Sequence, residues 1–155
     1  MGGRGGGAVR ADQGNLLALM ASAPHGLPVR VYYEDTDFSG VVYHANYLRF
    51  LERGRTELLR SAGVDQSMLH AEPGGIIFAV RRMSIEYLRP ARMDDVLTVE
   101  TVTSEMRGAS LRMSQRILRD ETVLLTAEVQ VAVLAGGKPA RLPDGIRRLL
   151  GDDRQ

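Results

Sequence analysis

The chain contains no cysteine. That excludes disulfides, thiolate metal sites and a cysteine nucleophile, and says little about compartment. Histidine is scarce: His25, His44 and His70 form no helical pair, so no metal site is expected. An excess of charge of one sign is missing as well. Twenty Lys and Arg against nineteen Asp and Glu leave a net charge of +1, which argues against nucleic acid or an anionic membrane as partner. No apolar run reaches the length of a membrane span. No glycine-rich loop stands in a phosphate-cradling context, and no internal repeat is visible.

What is present fits one domain: 155 residues, 44% of them apolar, near the globular average. The glycine-rich start, residues 1–7, is expected to be disordered. Residues 1–27 are read as a flexible N-terminal extension and residues 28–150 as the domain. Residues 16–23 resemble a secretory apolar segment, but the run is short and follows Asp12, Gln13 and Asn15, so a mobile extension is preferred.

Residues 30–59 organise the rest. A β-prone run at 29–33 leads into a polar turn, 34–40, that holds Glu34, Asp35 and Asp37. A small apolar step, 41–43, leads into a helical pattern over 44–62. Tyr47, Leu48, Leu51, Leu58, Leu59 and Ala62 make its apolar face. Gly54 lies on that face. Glycine inside a helix costs about 1 kcal/mol against alanine, so a close approach to a sheet is expected there. His44 stands at the helix start, where backbone N–H groups lack intrahelical partners.

Residues 64–75 read as a connecting loop. Four strands follow, over 76–88, 96–106, 109–119 and 122–134, with tight turns at Arg107-Gly108 and Asp120-Glu121. Such strands make an antiparallel sheet, and alternation puts Leu111, Met113 and Ile117, then Val123 to Val133 at every second position, on one face. The single long amphipathic helix is the simplest cover for that face. The fold class is therefore α+β, a curved antiparallel sheet wrapped around one long central helix. The strands exceed typical length, and a homodimer would pair their edges. Residues 136–139 read as a turn and 146–150 as a short amphipathic tail.

Arg30-Val31, then after four residues Thr36-Asp37, then after two Gly40-Val41-Val42-Tyr43, and finally Tyr47, resemble the signature of the 4-hydroxybenzoyl-CoA thioesterase family. The nearest likeness is its Tol–Pal-associated, YbgC-like acyl-CoA thioesterase branch. A second block agrees: Ile85-Glu86-Tyr87-Leu88-Arg89-Pro90-Ala91-Arg92, then Asp94-Asp95. The resemblance spans residues 28–134. It implies the hotdog fold and a cytoplasmic thioester hydrolase that cleaves acyl-CoA to free acid and coenzyme A. It implies a homodimer or homotetramer with sites at the interface. No cofactor is expected, because coenzyme A is part of the substrate. Acyl carrier protein is an alternative acyl donor.

The resemblance places Asp37 at the active-site aspartate. A carboxylate can attack the thioester carbonyl and form an anhydride, or act as general base. An ordinary aspartate, with pKa near about 3.9, is a weak base, so the second route needs burial. Both routes stay open. Read without the resemblance, Asp37 is a turn or capping residue. The His44 backbone N–H matches the position that polarises the carbonyl, worth roughly 3 kcal/mol per donor, and its side chain can donate a proton or orient water.

Tyr33, Tyr43 and Tyr47 cluster around the loop as core or interface aromatics. Tyr47 also matches the signature, as a pocket-lining residue or as a loop anchor through its hydroxyl. Gly40 supplies a backbone conformation. Arg89 and Arg92 lead the basic residues that could meet coenzyme A phosphates, ahead of Arg81, Arg82, Lys138 and Arg141. Glu34 and Asp35 read as loop charges, with Asp35 a reserve candidate, and His25 and His70 as surface residues. A different class of reading is a non-catalytic hotdog module that binds acyl thioesters, acyl carrier protein or envelope partners. A hotdog dehydratase would need a histidine set against a helical acid, which Glu52 and Glu57 lack.

Overall fold

A computed structural model describes residues 24–71 and 75–151. Strand β1 (His25–Arg30) is followed by two single-turn 3-10 helices, Tyr33–Asp35 and His44–Asn46. The second runs directly into α1 (Tyr47–Ser61), and a short α2 (Gln66–Ala71) comes next. Then come β2 (Ile76–Tyr87), β3 (Val96–Arg107), β4 (Ser110–Arg119), β5 (Thr122–Ala135), β6 (Lys138–Pro139) and α3 (Asp144–Leu149). The sheet is antiparallel in the order β1-β3-β4-β5-β2, with β6 paired to the end of β5. It wraps around α1, the curved arrangement read from the sequence.

The two hairpin turns follow local chemistry. Gly108 takes φ 52° and Asp120 φ 53°, a left-handed conformation that glycine adopts freely and aspartate tolerates. Register breaks in β2, β3 and β5 mark bulges, which bend a strand and tighten its twist. That bending lets one sheet curl around a single helix.

Helix α1 buries Tyr47, Phe50, Leu51, Gly54 and Leu59. The stripe differs from the expected one: Leu48 is 42% exposed and Phe50 only 1%. Tyr47, Phe50, Leu51 and Gly54 stand at i, i+3, i+4 and i+7, the narrow core-facing stripe of a helix, and Leu48 falls at its solvent edge. Around the first half of α1 pack Val29, Val31, Leu97, Val99, Ile117, Leu125 and Ala127. Around its end pack Leu59, Val64, Met113, Val129, Val131, Val133 and Leu142.

At the middle of α1 helix and sheet touch closely. A Cβ built on Gly54 would lie 2.6 Å from Val99 Cγ1 and 2.9 Å from Thr101 Oγ1. Beside it runs a buried polar relay. Gln115 Nε2 donates to Leu51 O and to Thr101 Oγ1, each at 2.9 Å, and Gln115 Oε1 accepts from Arg55 at 3.0 Å. Every polar atom of the Gln115 amide thus has a partner, as a buried amide requires.

Several boundaries need correction. β1 begins at His25, so the domain boundary at 28 cuts it; residues 25–30 pair with 96–101. Pro28 is tolerated within β1 because β1 is an edge strand, where a missing N–H costs no ladder bond. Residues 31–33, expected as strand, leave the ladder: Val31 exchanges backbone bonds with Asp95 and Asp94. His25 is half-buried in the strand, not a surface residue. The loop at 64–75 contains α2, whose start Asp65 caps by accepting from Met68 N at 3.1 Å. The rest of the N-terminal extension, residues 1–23, lies outside the described residues. Among the described residues, no helix is long and apolar enough to cross a membrane.

Candidate active site

Between β1 and α1 the chain folds into a small hairpin. Thr36 pairs with Val42, Asp37 N donates to Val41 O at 2.9 Å, and Gly40 N to Asp37 O at 3.0 Å. Gly40 closes the tip with φ +83°, the left-handed value that favours glycine. Asp35 locks the base. Its Oδ2 accepts from Tyr32 N and its Oδ1 from Asn46 Nδ2, each at 2.8 Å, while its carbonyl accepts from Tyr43 N at 2.9 Å. Asp35 is therefore a loop fastener, and its carboxylate is spent on that work. Asn46, overlooked in the sequence, ties the hairpin to the helix start.

The second sequence block lies alongside. Val41 pairs with Arg92, and Val42 N donates to Ala91 O at 2.8 Å. Ala91 N donates to Tyr47 Oη at 3.0 Å. Asp95 accepts from Arg92 N at 2.9 Å and from Arg119 at 2.8 Å. Tyr47 is buried, and that burial raises its hydroxyl above the ordinary value. Its ring packs edge-on against Phe50 and Tyr87. Of the two roles the sequence left open for Tyr47, pocket lining or a loop anchor through its hydroxyl, the bond to Ala91 N is the anchor's. Its hydroxyl is taken up by a backbone amide.

Asp37 sits on the hairpin with its carboxylate in solvent. Oδ1 accepts from Ser39 N at 2.8 Å and from the Ser39 hydroxyl. Those two bonds, helped by the nearby His44 and the Val41 backbone N–H, hold the carboxyl below its usual range. His44, seven residues on, opens the helix. None of the backbone hydrogen bonds of the loop uses its N–H or that of Ala45, as expected for the first turn of a helix. The positive end of the helix dipole favours an anion there. Tyr87 Oη donates to His44 O at 2.8 Å, and the His44 ring lies against Tyr43 and Tyr87. Tyr87 belongs to the second block but had no role assigned from the sequence.

Asp37, Gly40, Tyr43 and His44 thus share one exposed hairpin and helix start, with Tyr33 on the same loop. Arg89 and Arg92 lie exposed on the adjoining segment. Aromatic surface is dense here: Tyr33 is 79% exposed and Phe38 fully so. Among the described residues, no cluster of three or more His, Asp or Glu side chains could hold a metal ion.

A profile of the thioesterase-like superfamily matches residues 31–150. The acyl-CoA thioester hydrolase YbgC of Escherichia coli O6:H1 is 50% identical over 123 residues, covering 77% of this chain and 90% of that protein. The acyl-CoA thioesterase YbgC of Haemophilus influenzae is 46% identical over 122 residues, covering 77% and 89%. The crystal structure of a probable thioesterase from Bartonella henselae superposes with a TM-score of 0.75 at 48% identity, covering 78% of this chain and all of that one. The chain belongs to the thioesterase-like superfamily, and its curved sheet around one helix is that family's hotdog fold.

Proposed function

We propose that this enzyme hydrolyses an acyl-CoA thioester to a free carboxylic acid and coenzyme A at the hairpin before α1. The observation that carries this reading is the pairing of an ionised Asp37 with the unoccupied N–H groups at His44 and Ala45. The thioester carbonyl oxygen would lie at those N–H groups, which stabilise the charge that develops on it. The relatives named acyl-CoA thioesterases point to the same substrate class.

Of the two routes open to Asp37, direct attack has the better support. Its lowered pKa makes it a poor proton acceptor and a fully formed anion at neutral pH. In that route a carboxylate oxygen bonds to the carbonyl carbon, and the carbon–sulfur bond breaks. Coenzyme A leaves as a thiolate that takes a proton from solvent or His44. Water then cleaves the mixed anhydride and restores Asp37.

A second copy of the chain would cover the exposed aromatics and complete the acyl slot. Edge strand β2 supports this, with Ile77, Val80, Tyr87 and Leu88 exposed on or beside it. Arg89 and Arg92, exposed beside the loop, would receive coenzyme A phosphates.

The test is turnover of an acyl-CoA panel by wild type and Asp37→Ala, with oligomeric state measured by light scattering. Turnover lost in the variant supports the assignment. Equal, negligible rates in both would favour a module that binds thioesters without cleaving them. Turnover of acyl carrier protein thioesters in the same panel would identify that donor.

A further inference from the structure

Two peptide units present the donors in the turn before α1. The Tyr43–His44 unit carries the His44 N–H, and the His44–Ala45 unit carries the Ala45 N–H. The carbonyl of each is held from behind. Tyr43 O accepts from Asn46 N at 2.8 Å, the local bond of a single helical turn. His44 O accepts from Tyr87 Oη at 2.8 Å, from a side chain 43 residues along the chain.

A peptide is one planar, conjugated unit. A donor on its oxygen draws electron density through the C–N bond and leaves the N–H more positive. Hydrogen bonds in series strengthen one another in this way, by roughly 10–30% per bond. The same bond fixes the peptide plane, and so the direction in which the N–H points. Tyr87 is placed to do both for the Ala45 N–H.

The donor itself stands on rigid structure. Tyr87 closes β2 opposite Leu125 of β5, and the next residue, Leu88, donates its N–H to Leu124 O at 2.9 Å. The Tyr87 ring meets Tyr47 edge-on with centroids 5.8 Å apart, and His44 with centroids 6.5 Å apart. Nor does burial force the bond. Tyr87 is half exposed, and water can satisfy a phenol at the surface.

We propose that Tyr87 is a positioning residue for the oxyanion donors. Through His44 O it aims and polarises the Ala45 N–H, which meets the charge that develops on the thioester oxygen. It touches no reacting atom. The inference rests on the hydrolase reading above, and it gives the last residue of β2 a part in the chemistry.

The test uses Tyr87→Phe, which keeps the ring and removes the donor. Its kcat on acyl-CoA should fall about two- to fivefold, the share of an oxyanion bond that polarisation supplies. KM should stay unchanged, because the effect grows only as charge develops. A 3-fluorotyrosine placed at position 87 is a stronger donor of the same shape, and should raise kcat above wild type at neutral pH. A packing role predicts no such rise. A second readout needs no turnover. The nitrogen-15 resonance of the Ala45 amide should move upfield in Tyr87→Phe, while that of His44, whose peptide carbonyl is held by Asn46, stays in place. An unmoved Ala45 resonance, an unchanged kcat in Tyr87→Phe, or a kcat that does not rise with 3-fluorotyrosine would each overturn the proposal. Wild type without turnover would remove the hydrolase reading and this role with it, even where the Ala45 resonance confirms the bond, so the two failures stay distinct.

Discussion

The two halves of α1 are built on opposite plans. At its start, the Asp37 hairpin is exposed and charged, and is held by bonds that Asp35 accepts from the Tyr32 amide and the Asn46 side chain and that Asp37 accepts from the Ser39 amide. At its middle, Gly54 is pressed onto Val99 and Thr101 with a satisfied amide relay beside it. The first region leaves donors and an anion open to a ligand. The second leaves no room for one methyl group. A single helix thus carries both the end proposed to be reactive and the packing that keeps that end in place, and Tyr47 links them by fastening Ala91 from inside the core.

The comparison breaks most sharply at Asp37. Asp37→Ala should lower kcat by about 10²–10⁴-fold while leaving the melting temperature within error, because the side chain is exposed. A large drop in stability would mean that the hairpin is structural. Gly54→Ala should do the reverse. The added methyl meets Val99 and Thr101 head-on, so denaturant unfolding should show a loss of about 1–3 kcal/mol. That loss should come despite a helix propensity that favours alanine. Unchanged stability would show that the helix can lift off the sheet.

Tyr47→Phe should fall between the two. It removes the acceptor of the Ala91 N–H, costing about 1 kcal/mol, and it loosens the segment against the hairpin. kcat/KM should therefore drop as well, measurably but far less than for Asp37→Ala.

A pH profile sharpens the chemistry. Asp37 has its carboxyl pKa lowered from 3.8 by the Ser39 bonds, so it stays ionised down through that value and protonates only below it. kcat/KM should then be flat between pH 7 and 5 on this group's account. An acid limb from a single carboxylate at about pH 6 would instead indicate a raised pKa in the assembled site, and general-base use. The smallest effect is expected at Leu48→Ser. As an exposed residue it should change stability by less than about 0.5 kcal/mol, whereas a buried position on the helix face would lose several times more.

Much of this was legible before any coordinates. Alternation in β4 and β5 and the turn residues at Gly108 and Asp120 located the central strands to within a residue or two. The same reading missed β1's start, where Gly26 and Pro28 carry little strand propensity, and it missed α2 because six residues carry too little periodicity. Phe50 was passed over although it stands at helical spacing from Tyr47 and Gly54; a strict i, i+3, i+4, i+7 count would have found it. Asn46 and Tyr87 had no such signal. Their partners, Asp35 and the His44 carbonyl, are 11 and 43 residues away, and no local pattern reports a bond between distant segments.

The amino-acid order alone determined the long helix and the four long strands, the acidic turn leading into that helix and the family-like motifs, because each depends on spacing along the chain. Only the folded chain decided which carboxylate is free. Asp35 and Asp37 stand two apart in one acidic turn, and side-chain identity treats them alike. Folding brings Asn46 and the Tyr32 amide to Asp35, and leaves Asp37, bonded by its near neighbour Ser39, in solvent beside the helix start. Which of two equal charges can react is set by the hydrogen bonds that tertiary contacts consume.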